Sequence, residues 1–243
     1  MSEASSTSRR PADQHSRSLS TGQSTTRARR RVMGGLFLVS GVCFVAAVLN
    51  PPLLPTWGDS VPQSVAVAAA HPAAWFTSTW LITLSIVAAV AAIELLTRVL
   101  DSDAARVGRS LYLVGAALGL ASTTYDLAVT STLLGTAVLP GWYLGVAHWA
   151  AGLGTAYFAL LAPAALTAFG VAIFRTRALP GWTATMFLAA ALLLFAQYAA
   201  FRGALPFPQF LAFIVLGVTL LIRTRHTVTP MTTQPGRPRR WQI

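Results

Sequence analysis

Apolar runs recur along the chain at residues 32–49, 74–96, 111–134, 142–173, 182–201 and 205–222, divided by short polar links. A helix needs about 20 residues to cross roughly 30 Å of hydrocarbon. Each run is therefore long enough, or nearly so, to cross a bilayer. Backbone amides in hydrocarbon must be satisfied within the segment, which selects α-helices here. The expectation is an all-α, polytopic transmembrane bundle of six helices. The run at 142–173 exceeds one crossing, and Pro163 is its expected kink.

Arginine placement orients the bundle. Arg27, Arg29, Arg30 and Arg31 abut the first run, and the inner links hold Arg98, Arg106 and Arg109, then Arg175 and Arg177. The C-terminal stretch carries Arg223, Arg225, Arg237, Arg239 and Arg240. The alternate links carry little: residues 51–73 hold only Asp59, residues 135–141 no charge, and Arg202 is the single outer arginine. By the positive-inside rule both termini are cytoplasmic, which requires the sixth run to span. Trp75 and Trp142 fall at the outer edge and Trp182 at the inner edge, as an aromatic belt would place them. The domain reading is a basic tail at 1–31, disordered by composition, a transmembrane domain at 32–222, and a second disordered basic tail at 223–243. The outer stretch 61–70 is too short to span and reads as an interfacial helix over the bundle mouth.

Composition agrees. Charged residues make up 10% of the chain and hydrophobic residues 54%, against about 25% charged in soluble domains. The net charge of +11 does not point to nucleic acid, because it lies in tails and inner links. Its expected partners are the bilayer and anionic headgroups at the basic tails. The sequence identifies no protein partner. All basic residues are arginine, a bias that fits a GC-rich bacterial genome and hence a bacterial cytoplasmic membrane. Cys43 is the sole cysteine, which excludes an intrachain disulfide and a thiolate cluster.

Ionisable groups at membrane depth are the default functional candidates. Asp126 lies about 12 Å below the outer end of the third run, and His148 about 9 Å below the start of the fourth. Gly115, Gly119, Ser122 and Asp126 share one stripe, and Gly145, His148, Gly152 and Ala159 another. Small residues let helices approach closely in lipid, so the two polar side chains are expected to meet. Tyr143, Gln197 and Arg202 complete the expected binding cluster, with Tyr125 and Tyr198 nearby. Glu94 stands four residues before Arg98, in the favourable order for a helix ion pair. Ser110 is the expected cap of the third helix.

No catalytic residue, cofactor site or metal site is read from the sequence. A bis-histidine haem needs a second histidine at depth, and His71, His15 and His226 lie outside the runs. Zinc wants three or four ligands, and hydrolase, zincin and phosphate-loop motifs do not occur. The tetrapeptide Leu-Pro-Gly-Trp appears at 139–142 and 179–182. It is read as a helix-start signal rather than an inverted repeat.

The opening Met33-Gly34-Gly35-Leu36-Phe37-Leu38 and the turn Arg177-Ala178-Leu179-Pro180-Gly181-Trp182 resemble those of a family of six-helix actinobacterial integral membrane proteins. The resemblance covers about residues 32–223. It implies architecture alone, since no activity is attached to that family. The functional expectation is a non-enzymatic membrane protein, either a small-solute permeation or binding bundle or an accessory membrane subunit. The alternative is an intramembrane enzyme acting on a lipid or quinone-like substrate.

Overall fold

A computed structural model describes residues 11–56, 61–134, 136, 138–201 and 206–226. Among these residues the regular structure is helical, with no strand. In chain order, α1 runs Pro11–Val48, and a 3₁₀ turn, Pro51–Thr56, follows. The short α2 is Val61–Ala70 and α3 is Pro72–Leu100. Then come α4, Asp103–Leu133, and α5, Tyr143–Thr176. The last two are α6, Gly181–Phe201, and α7, Phe207–His226. Arg27–Val48 of α1, together with α3, α4, α5 and α6, gives five helices long and apolar enough to cross a membrane. A shorter apolar segment, Phe207–Arg223, lies in α7.

Helix ends differ from the hydropathy expectation for a physical reason. Hydropathy marks where hydrocarbon begins, whereas hydrogen bonding marks where a helix begins. Ser102, not Ser110, caps α4: its hydroxyl accepts from the Ala105 amide at 3.3 Å, while Ser110 donates back to the Arg106 carbonyl. The backbone of α1 is already helical from Pro11, inside the stretch read as a tail. Composition reports the inability to bury a core, and serine and arginine still tolerate helical backbone. Both Leu-Pro-Gly-Trp copies build the same first turn. The Pro140 carbonyl accepts from Tyr143 N and the Pro180 carbonyl from Thr183 N, each at 2.9 Å. The link between α3 and α4 turns at Asp101 and that between α5 and α6 at Arg177, with φ of 35° and 52°.

The spans form a closed ring: α1 packs on α3, α3 on α4, α4 on α5, α5 on α6, α6 on α7, and α7 back on α1. Glycine makes the closure possible. A Cβ on Gly41 would lie 2.7 Å from the Phe210 carbonyl, and one on Gly217 2.7 Å from the Gly34 carbonyl. In lipid such contact works through dispersion and close approach rather than expulsion of water. The middle of the ring is aromatic. Phe44 stacks on Phe210 at 4.0 Å, and Phe37 meets Phe213 at 4.9 Å.

Two helices contain a π-helical turn, α4 at Asp126–Thr130 and α5 at Ala156–Leu161. The second lies just before Pro163, the expected kink. A proline lacks the amide for its i−4 carbonyl and crowds it, and widening the preceding turn accommodates both effects. α2 keeps the expected bounds and packs inward through Val65 and Ala68, which are buried.

Candidate functional site

The end of the bundle at the α4–α5 link holds a polar group built on the first π turn. The extra residue in that turn rotates Thr130 inward, where it is 1% exposed. Its hydroxyl donates to Asp126 Oδ1 at 3.3 Å and lies 3.1 Å from the Tyr143 hydroxyl. Thr130 has one proton, so with that proton on Asp126 the Tyr143 hydroxyl is the donor of the second bond. The result is a chain, Tyr143 to Thr130 to Asp126, across α5 and α4. The Tyr125 and Tyr143 rings lie nearly parallel, 25° apart with centroids at 6.1 Å. The Tyr125 hydroxyl is buried beside that of Tyr143 and forms no hydrogen bond of ordinary geometry. Val65 of α2 and Ala147 of α5 pack against Tyr143, and Tyr125, Val129 and Leu133 wall the group.

Asp126 has no ion pair among the described residues. A carboxylate at membrane depth without a counter-charge is costly, and its single hydrogen bond is long. Seven residues separate it from Leu133, the end of α4, so it lies about 10 Å below that end.

The expected Asp126–His148 contact is not formed. His148 is exposed on the outward side of α5, and its Nδ1 lies 2.6 Å from the Leu144 carbonyl of its own helix. The inward face is set by Tyr143, Ala147 and Ala150. Gly145 and Gly152, read as packing residues, have nothing within 4 Å of an added Cβ. Small residues admit a neighbour but do not require one, whereas the large Tyr143 and Tyr157 must be covered. Gln197, half-buried on α6, has a buried amide oxygen with no partner and forms no hydrogen bond to Asp126 or Tyr143. Arg202 lies outside the described residues.

Glu94 also departs from expectation. Its partner is Arg109 of α4, at 2.6 Å, rather than Arg98. The pair joins two helices instead of bracing one.

A second polar group, absent from the sequence reading, lies in the core. The Tyr112 and Tyr157 hydroxyls are 2.9 Å apart, and Gln209 Nε2 donates to Tyr112 at 3.0 Å. All three side chains are fully buried. The Gly115–Gly119 stripe serves this group. Added Cβ atoms there would lie 2.8 and 2.6 Å from the two edges of the Tyr157 ring. The pair of glycines four apart beside Tyr112 was the available signal, but the π turn that carries Tyr157 inward leaves no mark in hydropathy.

Among the described residues no group of three or more His, Cys, Asp or Glu could hold a metal. Five long apolar helices in one packed ring define a multi-pass helical membrane protein. No protein family, curated protein or solved structure matches the chain.

Proposed function

We propose that this is a non-enzymatic, six-span protein of a bacterial cytoplasmic membrane that binds a small solute from the outer side at Asp126. The observation that carries the reading is an under-satisfied carboxylate in a π turn, joined to Thr130 and Tyr143, in a group that the short α2 helps to cover. Wide turns of this kind are frequent at functional sites. Six spans with both ends cytoplasmic are supported by the pairing of α7 with α1. Phe207 meets Phe44, and Leu220 lies against Gly34, so α7 shares the depth of an apolar helix along its length. The basic tails then face anionic headgroups.

The alternative, an enzyme acting on a lipid or quinone-like substrate, asked for an acid–base pair of Asp126 and His148. With His148 turned outward, no observation favours it.

The test is thermal unfolding of purified wild type and Asp126→Asn with a panel of cationic, neutral and anionic small solutes. A solute that raises the Tm of wild type and not of the variant, while both unfold at similar Tm without it, supports the reading. If Asp126→Asn loses as much folded protein as a core variant such as Gly119→Leu, the carboxylate is a structural lock instead.

A further inference from the structure

Three features of the Asp126 group bear on what it binds. The first is charge. Of the acidic residues at membrane depth, Glu94 is paired with Arg109, and Asp126 has no cation among the described residues. An occupant that completes the site therefore carries positive charge. The second is the wall. Two tyrosine rings and the side chains of Val65, Val129 and Leu133 surround the polar atoms, and the Trp142 ring lies 6.2 Å from that of Tyr143. Aromatic faces and aliphatic walls suit an organic cation, through cation–π attraction and dispersion. A hard metal ion wants about six oxygen ligands, and here only three side chains offer oxygen beside Asp126, two of them already bonded to each other.

The third feature discriminates among organic cations. The Tyr125 hydroxyl is buried, and its approach to the Tyr143 hydroxyl falls short of hydrogen-bond geometry, which is costly unless a better partner arrives. Its oxygen accepts from an N–H, and the second oxygen of Asp126 does the same. A quaternary ammonium offers neither bond. The geometry points to a protonated amine, a small ammonium bearing at least one N–H, as the ligand of the Asp126–Tyr125 group, admitted beneath α2. This rests on the reading that Asp126 is a solute site, and it adds the chemical class. In this assignment Asp126 neutralises the charge, Tyr125 accepts the N–H, and Thr130 and Tyr143 hold the carboxylate in place. α2 covers the group through the buried Val65, so movement of α2 is the step that would admit the ligand.

The test is modification of Asp126 by a water-soluble carbodiimide, applied to the full chain in sealed, outside-out vesicles and read by mass spectrometry as the acylurea adduct. The probes are triethylammonium, with one N–H, tetraethylammonium, with none, and sodium. Triethylammonium at roughly five times its dissociation constant should slow labelling about sixfold, because only the free site reacts. Tetraethylammonium and sodium at the same concentration should not. Tyr125→Phe should raise about tenfold the half-protecting concentration of diethylammonium, whose two N–H groups can serve both Asp126 and Tyr125, through loss of one charge-assisted hydrogen bond.

Equal protection by both organic cations overturns the N–H requirement, and protection by sodium overturns the amine class. Labelling that no probe slows also removes the proposal, yet leaves Asp126 open to the outside and the solute-site reading standing. Labelling of the unfolded but not the folded chain, or labelling that appears only with Arg202→Gln, removes both.

Discussion

Alanine at position 119 is the sharpest probe of how the bundle packs. The new methyl carbon would lie 2.6 Å from Tyr157 Cδ1, 3.1 Å from Cε1 and 3.2 Å from Ile86 Cδ1. Carbon atoms settle at about 3.5–4.0 Å, so the ring or the helix must withdraw by roughly 1 Å. The ring has little room to move: it is fully buried, tied through its hydroxyl to Tyr112, and packed at 4.4 Å on Phe158. Overpacking of this kind costs about 1–3 kcal/mol. The gain in helix propensity returns at most about 1 kcal/mol. A net loss of about 1–2 kcal/mol lowers the folded-to-unfolded ratio about 5- to 30-fold. Thermal unfolding should fall by roughly 2–8 °C.

The assay is reversible unfolding in mixed micelles followed by circular dichroism, with Gly145→Ala and Gly152→Ala as controls. They make the same chemical change, but nothing lies within 4 Å of the added carbon at either site, so both should equal wild type or exceed it by up to about 1 kcal/mol, the gain in helix propensity. Pairing Gly119→Ala with Tyr157→Leu should cost less than the sum of the two alone, since the clash is shared. Equal losses at positions 119 and 145 would refute the argument, because they would mean that the outward face of α5 is packed as tightly as the inward one.

Other outcomes follow from the same contacts. Tyr112→Phe removes the oxygen that links Tyr157 and Gln209, and it should cost about 1–2 kcal/mol in the same unfolding assay. His148→Ala should change stability by less than about 0.5 kcal/mol, since the ring bonds only to its own helix. Glu94→Gln breaks an ion pair whose members are 30% and 44% exposed. Solvent screening keeps its loss below about 1 kcal/mol, and the loss should shrink further in high salt. Val65→Ala thins the contact that seats α2, by about 1 kcal/mol. It should speed carbodiimide labelling of Asp126 about fivefold with little change in Tm, and an unchanged rate would show that α2 does not control access.

What could be read in advance divides along physical lines. The long apolar helices and their rough bounds follow from the length of apolar runs, five of them long enough to cross and a shorter one in α7, and α2 has its expected ends because Pro62 and Pro72 and the polar flanks punctuate it. The true start of α4 was hidden, since a cap such as Ser102 stands in water beyond the reach of hydropathy. Depth alone puts Asp126 and Tyr143 in one cluster, and the structure joins them through Thr130. His148 was misassigned because depth fixes only one of two coordinates, and the angular one was taken from glycines. On α4 the glycine stripe faces Tyr157, whereas on α5 it faces outward. Nothing local distinguishes the two cases: what matters is whether a large ring on another helix needs the space. The core trio of Tyr112, Tyr157 and Gln209 was missed for the same reason, as its members come from three helices and one depends on a π turn.

The ring is shut by its first and last members, and this bears on biosynthesis. α7 is synthesised after the other described helices, so the notch at Gly34 and Gly41 stands empty until Phe210, Ile214 and Gly217 arrive. A nascent chain stalled before that point leaves α1 held by α3 and by the contact of Phe44 with Phe158 of α5, with its narrowest face open to stray helices. Whatever guards newly inserted proteins has a definite feature to inspect, and the docking of α7 is the event that removes it.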